Sequence, residues 1–215
     1  MRRWQFFSAA GGAPATVTFT DSSVDATNGT VYTFSGQAIG TAASNRKVVF
    51  AAYASNGPAN ATATLGGNAA TQIASVTNGG GEIRLFQIDV PSGTTADIVV
   101  TWSAGVLRCG IGVWAVYGAE SSAHATAADS DGSDPLSVSL NCPAGGVVIA
   151  AAFNSNGSTF TWAGVTENYD EVVEGANTHT GASDAFATTQ TGLAISCDPS
   201  ASSDQGLVAA SWGPA

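Results

Sequence analysis

Few residues in this chain could carry polar chemistry, and their spacing joins them into no catalytic pattern. There are two histidines, His124 in an Ala/Ser-rich stretch and His179 in Asn-Thr-His-Thr, and both contexts predict exposed loops. The single lysine, Lys47, follows Arg46 in a turn before a strand. A Gly-x-Ser-x-Gly elbow, a phosphate-cradling Gly-Lys loop and a His-Glu-x-x-His helix are all missing. The one enzyme class that the composition permits is a paired-carboxylate glycosidase. Glu167, Asp170, Glu171 and Glu174 surround Tyr169, but on one hairpin or loop, where solvent relieves their repulsion. The expectation is a non-enzyme with no catalytic residue and no cofactor.

Two other polar groupings bear on ligands. Asp129-Ser130-Asp131-Gly132-Ser133-Asp134 offers hard oxygen ligands around a glycine, as calcium loops do, yet lacks the closing bidentate glutamate, so an ordinary Asp-rich turn is expected. Cys109, Cys142 and Cys197 are odd in number and far apart, which is neither a disulfide framework nor a zinc pattern. Buried free thiols follow, with one Cys142–Cys197 bridge left open.

Aromatic residues divide into three groups. Trp102, Trp114 and Trp212 lie in or at the ends of apolar strands and are expected in the core. Phe160 and Trp162 share one face of a strand and, with Tyr169, are the candidate ligand-stacking residues if that face is exposed. Arg2, Arg3, Trp4, Phe6 and Phe7 form a basic–aromatic arm, the candidate docking segment. That stretch faintly resembles a signal peptide, but its apolar part is short and broken by polar residues.

The elements that must position these residues are strands. Val17 and Phe19 alternate with Thr16, Thr18 and Thr20; Leu136, Val138 and Leu140 alternate with Ser137 and Ser139. Period two places apolar residues on one face and hydroxyls on the other. Val48 to Tyr53, Ile98 to Trp102 and Ile111 to Tyr117 are continuous apolar runs, as in strands covered on both faces. Turn clusters such as Asn56-Gly57-Pro58 and Asn78-Gly79-Gly80-Gly81 separate them, and no amphipathic helix is evident. No apolar run reaches the ~18 residues of a membrane span.

The order of segments recurs. Val48 to Gly57 returns as Val147 to Gly157, and Val31 to Ser35 as Leu136 to Leu140. Leu65-Gly66-Gly67 returns as Trp162-Ala163-Gly164, and Gly110 to Ala115 as Gly206 to Trp212. The expected fold is therefore all-β, with two tandem, related antiparallel β-sandwich units of jelly-roll or Greek-key type. An arm at 1–12 precedes units at 13–119 and 120–215. The short join near 118–120 predicts end-to-end packing.

Charge is divided unevenly between them. Residues 1–108 hold all six basic and five acidic side chains, net +1, whereas the remainder holds eleven acidic and no Lys or Arg, net −11. Such a surface repels phosphate backbones, so nucleic acid is not an expected partner.

From Val17 to Tyr117 the chain resembles the β-rich structural proteins of tailed bacteriophages. The resemblance rests on Thr18-Phe19-Thr20-Asp21-Ser22-Ser23-Val24-Asp25, Tyr32-Thr33-Phe34-Ser35-Gly36, Ala69-Ala70-Thr71, Asp89 to Val100 and Arg108 to Val116. It continues more loosely from Pro143-Ala144-Gly145-Gly146 to the end. It implies a virion location, as a tail, fibre or capsid-surface component. Implied partners are other virion proteins in a homo-oligomer or multi-copy assembly, with no membrane insertion and no catalytic residues. A carbohydrate- or host-receptor-binding module, recognising a surface glycan, is the alternative.

Overall fold

The structure, a computed structural model, describes residues 12–55, 60–130, 134–157, 159–201 and 203–215. Its elements are all strands, sixteen among the described residues. The first eight are β1 (Thr16–Asp25), β2 (Gly29–Ala38), β3 (Arg46–Ser55), β4 (Ala61–Leu65), β5 (Asn68–Asn78), β6 (Gly81–Asp89), β7 (Thr95–Val106) and β8 (Arg108–Tyr117). They are followed by β9 (Ala125–Asp129), β10 (Leu136–Cys142), β11 (Gly146–Asn154), β12 (Phe160–Ala163), β13 (Thr166–Glu174), β14 (Asn177–Phe186), β15 (Gln190–Pro199) and β16 (Gln205–Trp212). The all-β, antiparallel sandwich architecture read from the sequence is present.

Strands β1–β8 form one sheet in the order β1-β8-β3-β6-β5-β4-β7-β2. It rolls over at β5, which pairs with β6 along Thr71–Asn78 and with β4 along Asn68–Ala70. The two edges are thereby brought together. The Ala38 amide donates to Asp21 Oδ2 at 2.8 Å, and Ser23 Oγ donates to Gln37 Oε1 at 2.9 Å. Strands β9–β16 form two sheets, β13-β14-β11-β16-β9 and β10-β15-β12. Adding eight to each strand number carries the first order onto the second. The one difference is that β4 pairs with β5 while β12 and β13 do not pair.

The packing corrects the end-to-end expectation. Three apolar clusters fill the molecule. One, with Phe50, Phe86, Ile98 and Val100, lies inside the rolled sheet; another, with Leu136, Val148, Ile195 and Leu207, lies between the two sheets of the second half. The third joins Val49, Ala51, Tyr53, Leu85 and Trp114 of the first half to Ile149, Ala151, Phe153, Val208 and Trp212 of the second. The halves stack face to face, giving four layers. The sequence accounts for this order of layers. A strand with one wet face alternates, as β10 does, with Leu136, Val138, Leu140 and Cys142 inward and the residues between them exposed. A strand between two cores has no wet face, and β3, β11 and β16 are buried along their whole lengths. Of the continuous runs read from the sequence, Val48 to Tyr53 lies in β3 and Ile111 to Tyr117 in β8, both enclosed. Ile98 to Trp102 in β7 corrects the expectation: Ile98, Val100 and Trp102 are buried but Thr101 is exposed, so that strand has one wet face.

Candidate functional site

The densest gathering of chemically capable side chains lies between the two inner layers. Large rings fill positions left by glycines, on the facing sheet and on their own. A Cβ on Gly81 or Gly206 would strike the Phe153 ring, one on Gly112 would strike Tyr169, and one on Gly181 would strike both Tyr169 and Trp114. His179 sits over Gly110, whose Cβ would fall 2.5 Å from His179 Nε2. Strand register sets these pairs. Tyr53 is opposite Gly110 and Phe153 is opposite Gly206; the Phe153 ring covers its own partner glycine, whereas Gly110 is covered by His179 of the other half. The tryptophans, however, do not correspond: Trp114 is opposite Val49, and Trp212 is opposite Val147.

His179 corrects the expectation of an exposed loop. It lies within β14 and is 0% exposed. Its ring stacks on Tyr53 with centroids 5.9 Å apart and meets the edge of Tyr169 at 5.1 Å. Nδ1 lies 3.2 Å from the Tyr169 hydroxyl, while Nε2 has no hydrogen-bond partner among the described residues. Burial disfavours the imidazolium and lowers the pKa of His179 to about 3. The same burial pushes the Tyr169 and Tyr53 phenols well up. A hydroxyl beside an imidazole could in principle exchange a proton, but both groups are enclosed between sheets. The other histidine, His124, is exposed, with Nδ1 3.7 Å from Glu120 Oε2.

Polar groups around this layer are spent on joining the halves. Trp114 Nε1 donates to Asn168 Oδ1 at 2.7 Å and Trp212 Nε1 to Gln87 Oε1 at 2.9 Å. Ser22 Oγ donates to Glu171 Oε1, and the Arg108 guanidinium meets Glu174 at 3.1 Å. The remaining described basic side chains are equally committed. Arg46 donates to the carbonyls of Gly40, Val90 and Ser92, Lys47 pairs with Asp89, and Arg84 pairs with buried Glu82.

The candidate stacking residues do not converge. Phe160 is buried in the core of the second half, Tyr169 lies between the halves, and Trp162 is half-buried with Nε1 donating to Thr180 Oγ1 at 3.0 Å. As expected, Trp102, Trp114 and Trp212 are core residues. The carboxylates of β13 serve packing as well: Asp170 Oδ2 accepts the Phe160 amide at 3.1 Å, tying β13 to β12. Burial, then the charge of Asp170, raises the pKa of Glu167; burial chiefly raises that of Asp170.

All three cysteines are buried free thiols. The bridge left open for Cys142 and Cys197 is excluded by register. Leu136 is opposite Cys197, so Cys142 stands six residues along the same strand, roughly 20 Å away at strand rise. In the Asp-rich turn, Asp129 Oδ2 accepts the Ser137 amide and Asp134 Oδ1 accepts from Gln205 Nε2, both at 2.7 Å. Residues 131–133 of that turn lie outside the described residues, as do Arg2, Arg3, Trp4, Phe6 and Phe7 of the arm. Among the described residues no three His, Cys, Asp or Glu side chains gather as a metal-ligand set.

No protein-family model matches this sequence, and no curated protein matches it. The crystal structure of Cucumber Necrosis Virus aligns over 97% of this chain and 89% of its own, at 11% identity and a TM-score of 0.28. At that score neither fold nor function is carried from one to the other.

Proposed function

We propose that this chain is a non-enzymatic structural protein of a bacteriophage virion, a tail, fibre or capsid-surface component present in many copies. One observation carries the reading: polar side chains of the inner layers bond across the join and fuse two sandwiches into a single four-layer block. Trp114, Trp212, Arg108 and Glu171 all bond across the join. A protein organised this way offers a rigid unit rather than a cleft. The sequence resemblance between Val17 and Tyr117 supplies the virion context. Docking is assigned mainly to the N-terminal half with its arm, and the acidic second half faces away. Commitment of Arg46, Lys47, Arg84 and Arg108 to internal partners argues against a nucleic-acid surface.

A glycan-binding module would need a solvent-facing cluster of Trp or Tyr. Among the described residues Trp162 alone of the tryptophans is even half-exposed, which favours the structural reading. Quantitative mass spectrometry of purified virions tests it. Stoichiometric presence of the chain, lost on deletion of residues 1–12, is the expected result. Its absence from particles, together with binding on a glycan array, would replace this reading with the receptor-binding one.

A further inference from the structure

A groove opens on the seam between the halves, at the pole where the described chain starts. It has a volume of about 280 Å³ and is lined by Pro14 and Ala15, by Gly145, and by Ala185, Phe186 and Ala187. Its walls are fixed: the Ala15 amide donates to the Gly145 carbonyl at 2.8 Å, and the Gly145 amide donates to the Phe186 carbonyl at 2.8 Å. Beside it runs an open strand edge. β13 begins at Thr166, opposite Ser183, so Asp184, Ala185 and Phe186 have β11 as their one strand partner among the described residues, through Val148, Val147 and Gly146. The Ala185 amide donates to Asp184 Oδ1 at 2.9 Å, and Thr166 Oγ1 donates to Asp184 Oδ2 at 3.3 Å. With the Ala185 amide taken, the slot rather than a backbone ladder would hold an incoming segment, by seating its large side chains.

We propose that this groove receives the Trp4-Gln5-Phe6-Phe7 segment of a second copy of the chain. The segment supplies three aromatic side chains among the eleven residues before Gly12, and the groove is apolar and the right size for an aromatic ring. Charge agrees: Arg2 and Arg3 precede the segment, Asp184 stands on the open edge, and the half bearing the groove holds eleven acidic and no basic residues after Arg108. Direction selects a second copy over the same chain. Gly12 abuts the carbonyl of Ala215, which is itself held by the Gly118 carbonyl. The described chain therefore starts toward β8 and β16, away from the β14 side where Ala185–Ala187 lie. The contact gives the multi-copy reading its joint between copies and rests on that reading.

Sedimentation velocity of the full chain over a concentration series tests the joint. The expected result is concentration-dependent association, with the dissociation constant raised tenfold or more by W4A/F6A/F7A and separately by A187R. Ala187 is exposed, so A187R leaves the fold intact, as unchanged circular dichroism would verify. A monomer at every concentration overturns the inference, as does association that responds to only one of the two variants. A chain monomeric in solution yet stoichiometric in virions removes this joint and leaves the virion reading. Association through the groove by a chain absent from virions does the reverse.

Discussion

Tyr53 of β3 and Phe153 of β11 meet across the middle of the molecule, ring centroids 5.4 Å apart, from corresponding strands of the two halves. Each faces a glycine on the neighbouring strand of its own sheet, and Phe153 also covers Gly81 of the other half. This contact is where two cores become one. Truncation of Phe153 to alanine should destabilise the protein by about 3–5 kcal/mol, the usual cost of emptying a buried aromatic site. Urea unfolding followed by tryptophan fluorescence and far-UV circular dichroism should give one coincident transition in the parent protein. Two resolved transitions would mean that the halves are stable without each other.

Filling a glycine position should also destabilise, though by less than emptying a ring position. Gly112→Ala drives a methyl into the Tyr169 ring, which is already held by Trp114, Phe19 and His179. Overpacking of this kind costs about 1–3 kcal/mol. The same substitution at Gly105, where added bulk meets nothing within 4 Å, should leave the urea midpoint within the scatter of surface changes.

Acid should loosen the join through His179. Its pKa is about 3 in the folded protein and 6.5 unfolded, so the unfolded chain binds the proton first as pH falls. The stability that depends on neutral His179 is complete above pH 6.5 and declines as pH falls toward 3, by about 5 kcal/mol in total. Glu167 and Asp170, with raised pKa values, act in the opposite sense, becoming easier to bury as they protonate. The other titratable neighbours are Tyr53, Tyr169, Arg108 and Glu171, from β3, β13 and β8. Comparing unfolding free energies of the parent and His179→Gln at pH 7 and pH 4.5 isolates the effect. A shallower fall in the variant is expected, and parallel curves would remove His179 from the account.

The thiols should be silent until the fold is lost. Burial raises the pKa of Cys142 to about 11 and pushes those of Cys109 and Cys197 well above the ordinary thiol range. A colorimetric thiol assay should detect almost nothing in the native protein and three groups per chain in denaturant. Oxidant treatment of the native protein should yield no intrachain disulfide, given the distance along β10.

The strands and their inward faces were legible because period-two alternation is a direct record of one wet and one dry face. β10 illustrates this, with Leu136, Val138 and Leu140 inward; in β7 the run Ile98 to Trp102 hid the same alternation, because the outward-facing Val99 is apolar too. The stacking of the halves was not legible. A run such as Val48 to Tyr53 reports that both faces are covered without reporting by what. His179 was misplaced for a related reason. Thr178, His179 and Thr180 look like a polar loop, yet all three are buried in β14. The available signal was in the glycines: Gly110, Gly112 and Gly181 occupy strand interiors, where a missing side chain marks a neighbour's ring. Phe160 and Trp162 were correctly placed together on one strand, but Tyr169, seven residues beyond Trp162, belongs to a different layer.

The missing pairing between β12 and β13 has a mechanical meaning. In the first half a pull on any strand is passed to the next through backbone hydrogen bonds from β1 around to β2. In the second half that path is cut, and load crossing from the inner sheet to the outer one travels through side chains and the Asp170–Phe160 contact. The outer sheet β10-β15-β12 is the part of the block that should peel first under tension. Optical-trap extension should show a low-force step about the length of that sheet before the main rupture.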